Sequence, residues 1–403
     1  FFSSEPFVRI LERYLSYYIR RMIPYTDLYY DGQVVQTRQE MAAFVRRACR
    51  RTPLATALHL LEQRLWADLH KIRREHRLHK LQQFSGTFVQ HLYDKKQFGR
   101  LLSVKESSRI RRQIRAFTTL DSSALYRSLI CDRELFFRMA RGIDLPENID
   151  QLLALASERL SQPSGIISYQ DAMPMLYLHL RLFGCDQFPD IRQVVVDEAQ
   201  DYYPVHFHIL RQLFPNARYT VMGDYNQTIE KQEGPDFYQE VDRILHKKNS
   251  CLITLNKGFR CSYEINEFSR RFLSQSTELE SFERHEQPPL VEQTADLEQM
   301  AERIAQLTAE YLGEGYASVG IICKTHQQAN RLYEQLRSRI SVHLMDTDQP
   351  ETFSGVMLMP VYMAKGLEFD AAILCGVDDQ NYRTGFDRQL LYVSCTRALH
   401  RLA

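Results

Sequence analysis

The amino-acid sequence predicts an α/β protein with a large, mostly α-helical first half and parallel sheets in its second. Three observations carry this. From Arg38 to about Phe183 the apolar residues recur at helical spacing, with few strand-like runs. From about residue 190, short β-branched runs alternate with helical segments, the pattern of a parallel sheet. One of those runs, Val194-Val195-Val196, leads directly into Asp197-Glu198-Ala199-Gln200-Asp201.

Residues 1–25 read as one amphipathic helix, with Phe7, Ile10, Leu11, Tyr14, Leu15 and Tyr18 on one face and Pro24 as its stop. Leu28 to Gln36 reads as a short hairpin around Asp31-Gly32. In the second half, strands are expected at 194–196, 219–222, 252–255, 319–323, 356–361 and 371–374. Helices are expected at about 205–213, 262–273, 327–337 and 387–396. Ser274 to Glu292 reads as a surface connection. A chain of 403 residues is expected to hold two or three domains, here 1–185, 186–250 and 251–403.

Composition is that of a globular protein, 44% apolar and 25% charged, and no apolar run approaches the ~20 residues of a membrane span. No membrane partner is therefore expected. The eight cysteines are scattered without a C-x-x-C pair. Neither a disulfide framework nor a zinc site is predicted, and a reducing cytoplasm fits best. The net charge of +1 hides an asymmetry: residues 41–120 carry +13 and the rest of the chain −12. Such a basic region fits a polyanion, DNA or RNA, and equally a solvated helical surface. The chain opens at Phe1-Phe2 without a methionine, so it is expected to be a piece of a longer protein.

Five stretches carry candidate chemistry. Asp197 and Glu198 end an apolar strand, where a carboxylate can hold Mg²⁺ and a second can take a proton from water. Gly223-Asp224-Tyr225-Asn226-Gln227 follows another strand, and Gln227 offers a donor and an acceptor to a phosphate or its attacking water. Phe259-Arg260 pairs a ring that can stack on a base with a guanidinium that can take a phosphate. Lys365-Gly366-Leu367-Glu368-Phe369-Asp370 offers a glycine for close backbone approach and Glu368 for a ribose hydroxyl. Leu390-Leu391-Tyr392-Val393-Ser394-Cys395-Thr396-Arg397-Ala398 ends an apolar helical stripe in an arginine, a platform for an arginine finger. Read alone, each is equally a surface turn or a helix end.

Their order and spacing resemble the UvrD/Rep-like superfamily 1 helicases. There Asp-Glu-Ala-Gln-Asp stands as motif II, Gly-Asp-x-x-Gln as motif III, Phe-Arg as motif IV, Lys-Gly-Leu-Glu-Phe as motif V and Leu-Tyr-Val-x-x-Thr-Arg-Ala as motif VI. The resemblance implies two RecA-like parallel-sheet domains, the first incomplete, interrupted by the large helical insertion. It implies ATP and Mg²⁺ as cofactors. Asp197 would hold Mg²⁺, Glu198 would activate water and Gln227 would couple to the γ-phosphate. Phe259 would face adenine, Arg260 and Arg397 the γ-phosphate, and Gly366 and Glu368 the phosphate and ribose.

The departures matter as well. No G-x-x-x-x-G-K-[ST] loop occurs, nor any Gly-Lys pair, so this chain alone is expected to be inactive. Glu230-Lys231-Gln232 stands where the family places a base-stacking aromatic, and Pro360-Val361-Tyr362 where it places Thr-x-His. With its basic helical block, the chain is most similar to the HelD-like members, which displace nucleic acid from RNA polymerase. The alternatives are a single-stranded-DNA translocase of the ordinary kind and a non-catalytic binding module that kept the fold.

Overall fold

A computed structural model describes residues 1–30, 32–83, 108–162, 167–228, 236–273, 280–345 and 355–403. The chain divides into two compact units. One comprises 1–194 and 203–220, the other 195–202 and 221–403.

The first unit is helical apart from a hairpin. Helix α1 (Glu5–Tyr17) buries Phe7, Ile10, Leu11, Tyr14 and Leu15. It then loosens into a π-helical turn, Tyr18–Met22, so the expected single helix ends in a different geometry just before Pro24. Strands β1 (Leu28–Tyr30) and β2 (Gln33–Gln36) pair antiparallel, with Tyr30 opposite Gln33. Gly32 takes a left-handed φ of 77°, while Asp31 lies outside the described residues. Then come α2 (Arg38–Ala48), α3 (Leu54–Gln83), α4 (108–118), α5 (Ser122–Cys131), α6 (Arg133–Ala140), α7 (Ile149–Ser161) and α8 (Tyr169–Phe183). Side-chain caps fix several starts: Thr37 forms a reciprocal capping box with Glu40 on α2, and Asp121 and Ser168 cap α5 and α8. One apolar core joins α1, α3, α5, α6 and α8, with Tyr126, Leu129 and Phe136 fully enclosed. Of the basic block 41–120, residues 84–107 lie outside the described residues.

Strands β3 (Gln193–Val196) and β4 (Arg218–Val221) form a two-strand pair, with α9 (Pro204–Leu213) between them in sequence. Arg218 N–H donates to Arg192 C=O and Met222 N–H to Val196 C=O, so the two strands run parallel.

The second unit is an α/β layer structure. After α10 (Asp236–Leu245), short β5 (Lys257–Gly258), α11 (Tyr263–Ser269) and short β6 (Glu280–Ser281) comes α12 (Leu297–Gly313). Then follow β7 (Ser318–Cys323), α13 (His326–Leu336), β8 (His343–Leu344), β9 (Gly355–Pro360), α14 (Val361–Ala364), β10 (Phe369–Cys375), α15 (Gly385–Cys395) and β11 (Ala398–Leu402). Five parallel strands stand in the order β11-β10-β7-β9-β8. Strand β7 is central and buried on both faces, which is why it reads as a continuous apolar run. Its Val319 and Ile321 pack with α12 and α13, while Ile322 packs with α11, α14 and α15 on the opposite face. Gly320 makes room for Phe369: a Cβ there would stand 2.5 Å from the ring.

Two sequence expectations change. The strand expected at Leu252–Leu255 is irregular extended chain, with Leu255 84% exposed. β-Branched and leucine residues favour a strand only where a neighbouring edge pairs with it, and no strand pairs with this segment among the described residues. Helix α10 and strand β11 add to the expected set, and so does helix α12. Its signals were Asp296 capping Gln299 N–H and a stripe of Ala301, Ile304, Leu307 and Tyr311.

Candidate nucleotide site

All the candidate residues lie in the second unit. Val196 ends β3, and the backbone of Met222 holds the following turn: Ala199 N–H donates to Met222 C=O at 2.9 Å. Asp197 is exposed, and its Oδ1 accepts from Glu198 N–H at 2.8 Å. Glu198 takes a left-handed backbone with φ 48°, unusual for a residue with a side chain. Strain of this kind collects where a side chain must be aimed.

Gln200 fixes that aim. It is fully buried; its Nε2 donates to Glu198 Oε2 at 2.5 Å and its Oε1 accepts from Asp224 N–H at 3.1 Å. One amide thus ties the Asp-Glu segment to the Gly-Asp segment. Gly223 has to be glycine, because a Cβ would stand 2.2 Å from Gln200 Oε1. Gln227 sits on a 3-10 turn, Tyr225–Gln227, where its Nε2 donates to Asp224 Oδ2 at 3.0 Å.

Arg397 follows α15 and is 0% exposed. Its Nε donates to Val393 C=O at 3.0 Å, Nη1 to Leu367 C=O at 3.3 Å, and Nη2 to Thr396 Oγ1 at 3.2 Å. Nη2 also donates to Gln227 Oε1 at 2.5 Å. A guanidinium has no acceptor, so it selects the oxygen of the amide. Phe369 N–H donates to Arg397 C=O at 2.9 Å and joins it to β10. Burial pushes the Arg397 guanidinium below its ordinary pKa, and the charge of Arg260 adds to that, while the Glu198 and Glu368 carboxylates oppose it.

Arg260 pairs with Glu368 at 2.8 Å, both side chains about half exposed. Phe259 is 62% exposed, its ring 5.2 Å from that of Phe282. Gly366 takes φ 80°, a left-handed turn that suits glycine, and no atom stands where a Cβ would project. Lys365, almost buried, forms an ion pair with Asp201.

Glu198, Gln227, Arg260, Glu368 and Arg397 therefore form one network through hydrogen bonds and charge. Among the described residues Asp197 joins it through the Glu198 backbone, and Phe259 and Gly366 flank it on the segments of Arg260 and Glu368. Gln200 and Lys365 have contacts that sequence spacing does not assign. Among the described residues no three His, Cys, Asp or Glu side chains gather as a metal cage. Mg²⁺ fits without one, because it usually takes one or two carboxylates and fills the rest of its shell with water and phosphate oxygens. The donor set suits the hydrolytic side of a nucleoside triphosphate, while the sequence has no Gly-Lys loop for its phosphates. Glu230-Lys231-Gln232 lies outside the described residues, and Tyr362 is half exposed on α14.

Residues 355–403 match the family model of the UvrD-like helicase C-terminal domain. They are part of a UvrD-like helicase. This segment holds β9, α14, β10, α15 and β11, and with them Gly366, Glu368 and Arg397. Among solved structures, the chain is similar to the C-terminal domain of a possible DNA helicase from Lactobacillus plantarum WCFS1. The identity is 30% over 36% of this chain and 84% of that one, with a TM-score of 0.32. No curated protein matches the chain. No described helix is long and apolar enough to cross a membrane.

Proposed function

We propose that this chain supplies the hydrolytic side of the ATP site in a UvrD-like motor of the HelD type, which remodels RNA polymerase–nucleic acid complexes. The observation that supports it best is the buried Arg397 guanidinium, hydrogen-bonded to Gln227 and within electrostatic reach of Glu198. Its hydrogen bonds all go to neutral oxygens, and among the described residues no carboxylate is paired with it; a buried cation without a counter-charge is costly. Its position suits a group that meets a second anion, the γ-phosphate. In this reading β3 and β4 belong to a first RecA-like domain and the five-stranded sheet to a second.

The division of labour follows from chemistry. Asp197 would hold Mg²⁺, which would offset the charge of the phosphates. Glu198, aimed by Gln200, takes the proton of the attacking water. Gln227 relays the state of the γ-phosphate to Arg397. Arg260, released from Glu368, joins Arg397 on the developing charge. Glu368 is then free for a ribose hydroxyl, and Phe259 offers its exposed face to adenine. The bound nucleotide supplies the phosphoanhydride bond that is broken. DNA or RNA on the polymerase would meet the basic residues 41–120.

The test is co-purification of the full-length protein with RNA polymerase, followed by an ATP-dependent assay of polymerase release from DNA. Binding with ATP-stimulated release supports the reading. ATPase strongly stimulated by free single-stranded DNA, with unwinding of defined polarity and no polymerase binding, would replace it with an ordinary translocase. Polymerase or nucleic-acid binding with no hydrolysis at all would make the protein a non-catalytic module.

A further inference from the structure

The helical unit carries a second basic feature, separate from both the nucleotide cluster and the block at 41–120. A cavity of about 610 Å³ is lined by Glu12, Arg13, Tyr17, Arg20, Arg21 and Arg138, among others. Arg13 and Glu12 come from α1, Arg20 and Arg21 from the π-helical turn that follows it, and Arg138 from α6. A π-turn inserts an extra residue and re-aims the side chains after it, and such turns occur often at functional sites.

Two of the arginines have structural work. Arg13 Nη1 donates to the carbonyls of Met139 at 3.1 Å and Arg141 at 2.7 Å, pinning the end of α6. Arg138 Nη1 donates to Tyr17 Oη at 3.1 Å, with its guanidinium 5.9 Å from that ring's centre. Glu12 does not balance the pocket. Its carboxylate is already taken by Arg181, at 2.6 and 2.8 Å, and by the Tyr177 hydroxyl at 2.6 Å. Arg20 and Arg21 are exposed and make no hydrogen bond or ion pair among the described residues. Guanidiniums thus gather in a concave site where, among the described residues, Arg20 and Arg21 have no carboxylate paired with them.

We propose that this pocket binds the phosphodiester backbone of a single-stranded nucleic acid, with Arg20 and Arg21 on phosphate and a base against the Arg138–Tyr17 pair. Arginine forks match phosphate oxygens two at a time. A guanidinium held at the hydroxyl edge of a tyrosine sets a cation beside a ring face on which a base can stack. The cavity volume lies in the range that takes a ligand of nucleotide size. Its exposed arginines leave room for a chain to enter and leave, which a closed mononucleotide pocket would not. The proposal extends the nucleic-acid side of the function above but does not need ATP hydrolysis.

Fluorescence anisotropy of the 403-residue chain tests it, with a labelled oligothymidylate of about ten nucleotides over a salt series. In the Arg20→Ala/Arg21→Ala variant, two lost phosphate contacts lower the log–log salt slope by about 1.4 and weaken binding about 25-fold near 0.1 M salt. Arg133→Ala, on the same helix as Arg138 but paired with Asp150 at 2.5 Å, changes neither. Among the described residues Arg20 and Arg21 have no partner to lose, so an unchanged melting curve keeps the variant interpretable. The proposal is overturned by an unchanged slope, by an equal loss in Arg133→Ala, or by a chain that binds no oligonucleotide. Inorganic pyrophosphate displacing the oligonucleotide at lower concentration than unlabelled oligonucleotide does would also overturn it, marking a small-anion pocket instead.

Discussion

Glu198 shows how much one residue depends on its neighbours. Its left-handed backbone and its hydrogen bond from Gln200 hold the carboxylate in one place. If it is the base, Glu198→Gln in the full-length protein lowers ATP turnover by about 10²–10⁴-fold while leaving nucleotide binding in place. Steady-state hydrolysis beside fluorescent-nucleotide titration separates the two. Gly223→Ala acts on the same group from behind, pushing Gln200 away from Asp224, and lowers turnover with Glu198 itself intact. At this scale the sequence was informative about identity and silent about pairing. The order of short motifs singles out Asp197, Glu198, Gln227, Phe259, Arg260, Gly366, Glu368 and Arg397. It does not reveal that Arg260 is held by Glu368, or Arg397 by Gln227, because those partners stand 108 and 170 residues apart.

At the scale of elements, α15 and the strands around it set the position of Arg397. Asp387 lies in the first turn of α15, where its Oδ2 accepts from Arg383 N–H at 2.9 Å and Thr384 N–H at 2.8 Å. Its Oδ1 meets Lys324 Nζ at 2.5 Å. Burial alone would raise the Asp387 pKa, but the Lys324 ammonium and these N–H groups outweigh it, and the carboxyl sits well below its usual range. A carboxylate lowered on folding stabilises fully above its unfolded value of about 3.9, and that contribution is lost as pH falls through the lower folded value. Asp387→Asn therefore flattens the fall of stability in this acid range, as measured by thermal unfolding across pH. Gly320→Ala tests the central strand, since the new methyl meets the Phe369 ring. Overpacking of this kind costs about 1–3 kcal/mol, read from denaturant midpoints.

These elements were largely legible because buried parallel strands are continuous apolar runs, as in Val319–Cys323. Leu252–Leu255 has the same look and is not a strand. A run of residues fixes propensity, and only a neighbouring edge turns propensity into pairing.

At the scale of the whole molecule, charge and chemistry separate along the chain. The basic excess and the arginine pocket belong to the helical unit, and the nucleotide cluster to the α/β unit. With no Gly-Lys phosphate loop in its 403 residues, this chain is expected to hydrolyse no ATP by itself, checked by phosphate release at high protein concentration. As proposed above, Arg397 and its partners would form the hydrolytic side of an ATP site. Single-turnover hydrolysis by the full-length protein, wild type against Arg397→Ala, tests it most directly. A loss on the order of 10³-fold or more is expected in the variant, with nucleotide still bound. A rate near wild type would contradict it and leave Arg397 a purely structural cation.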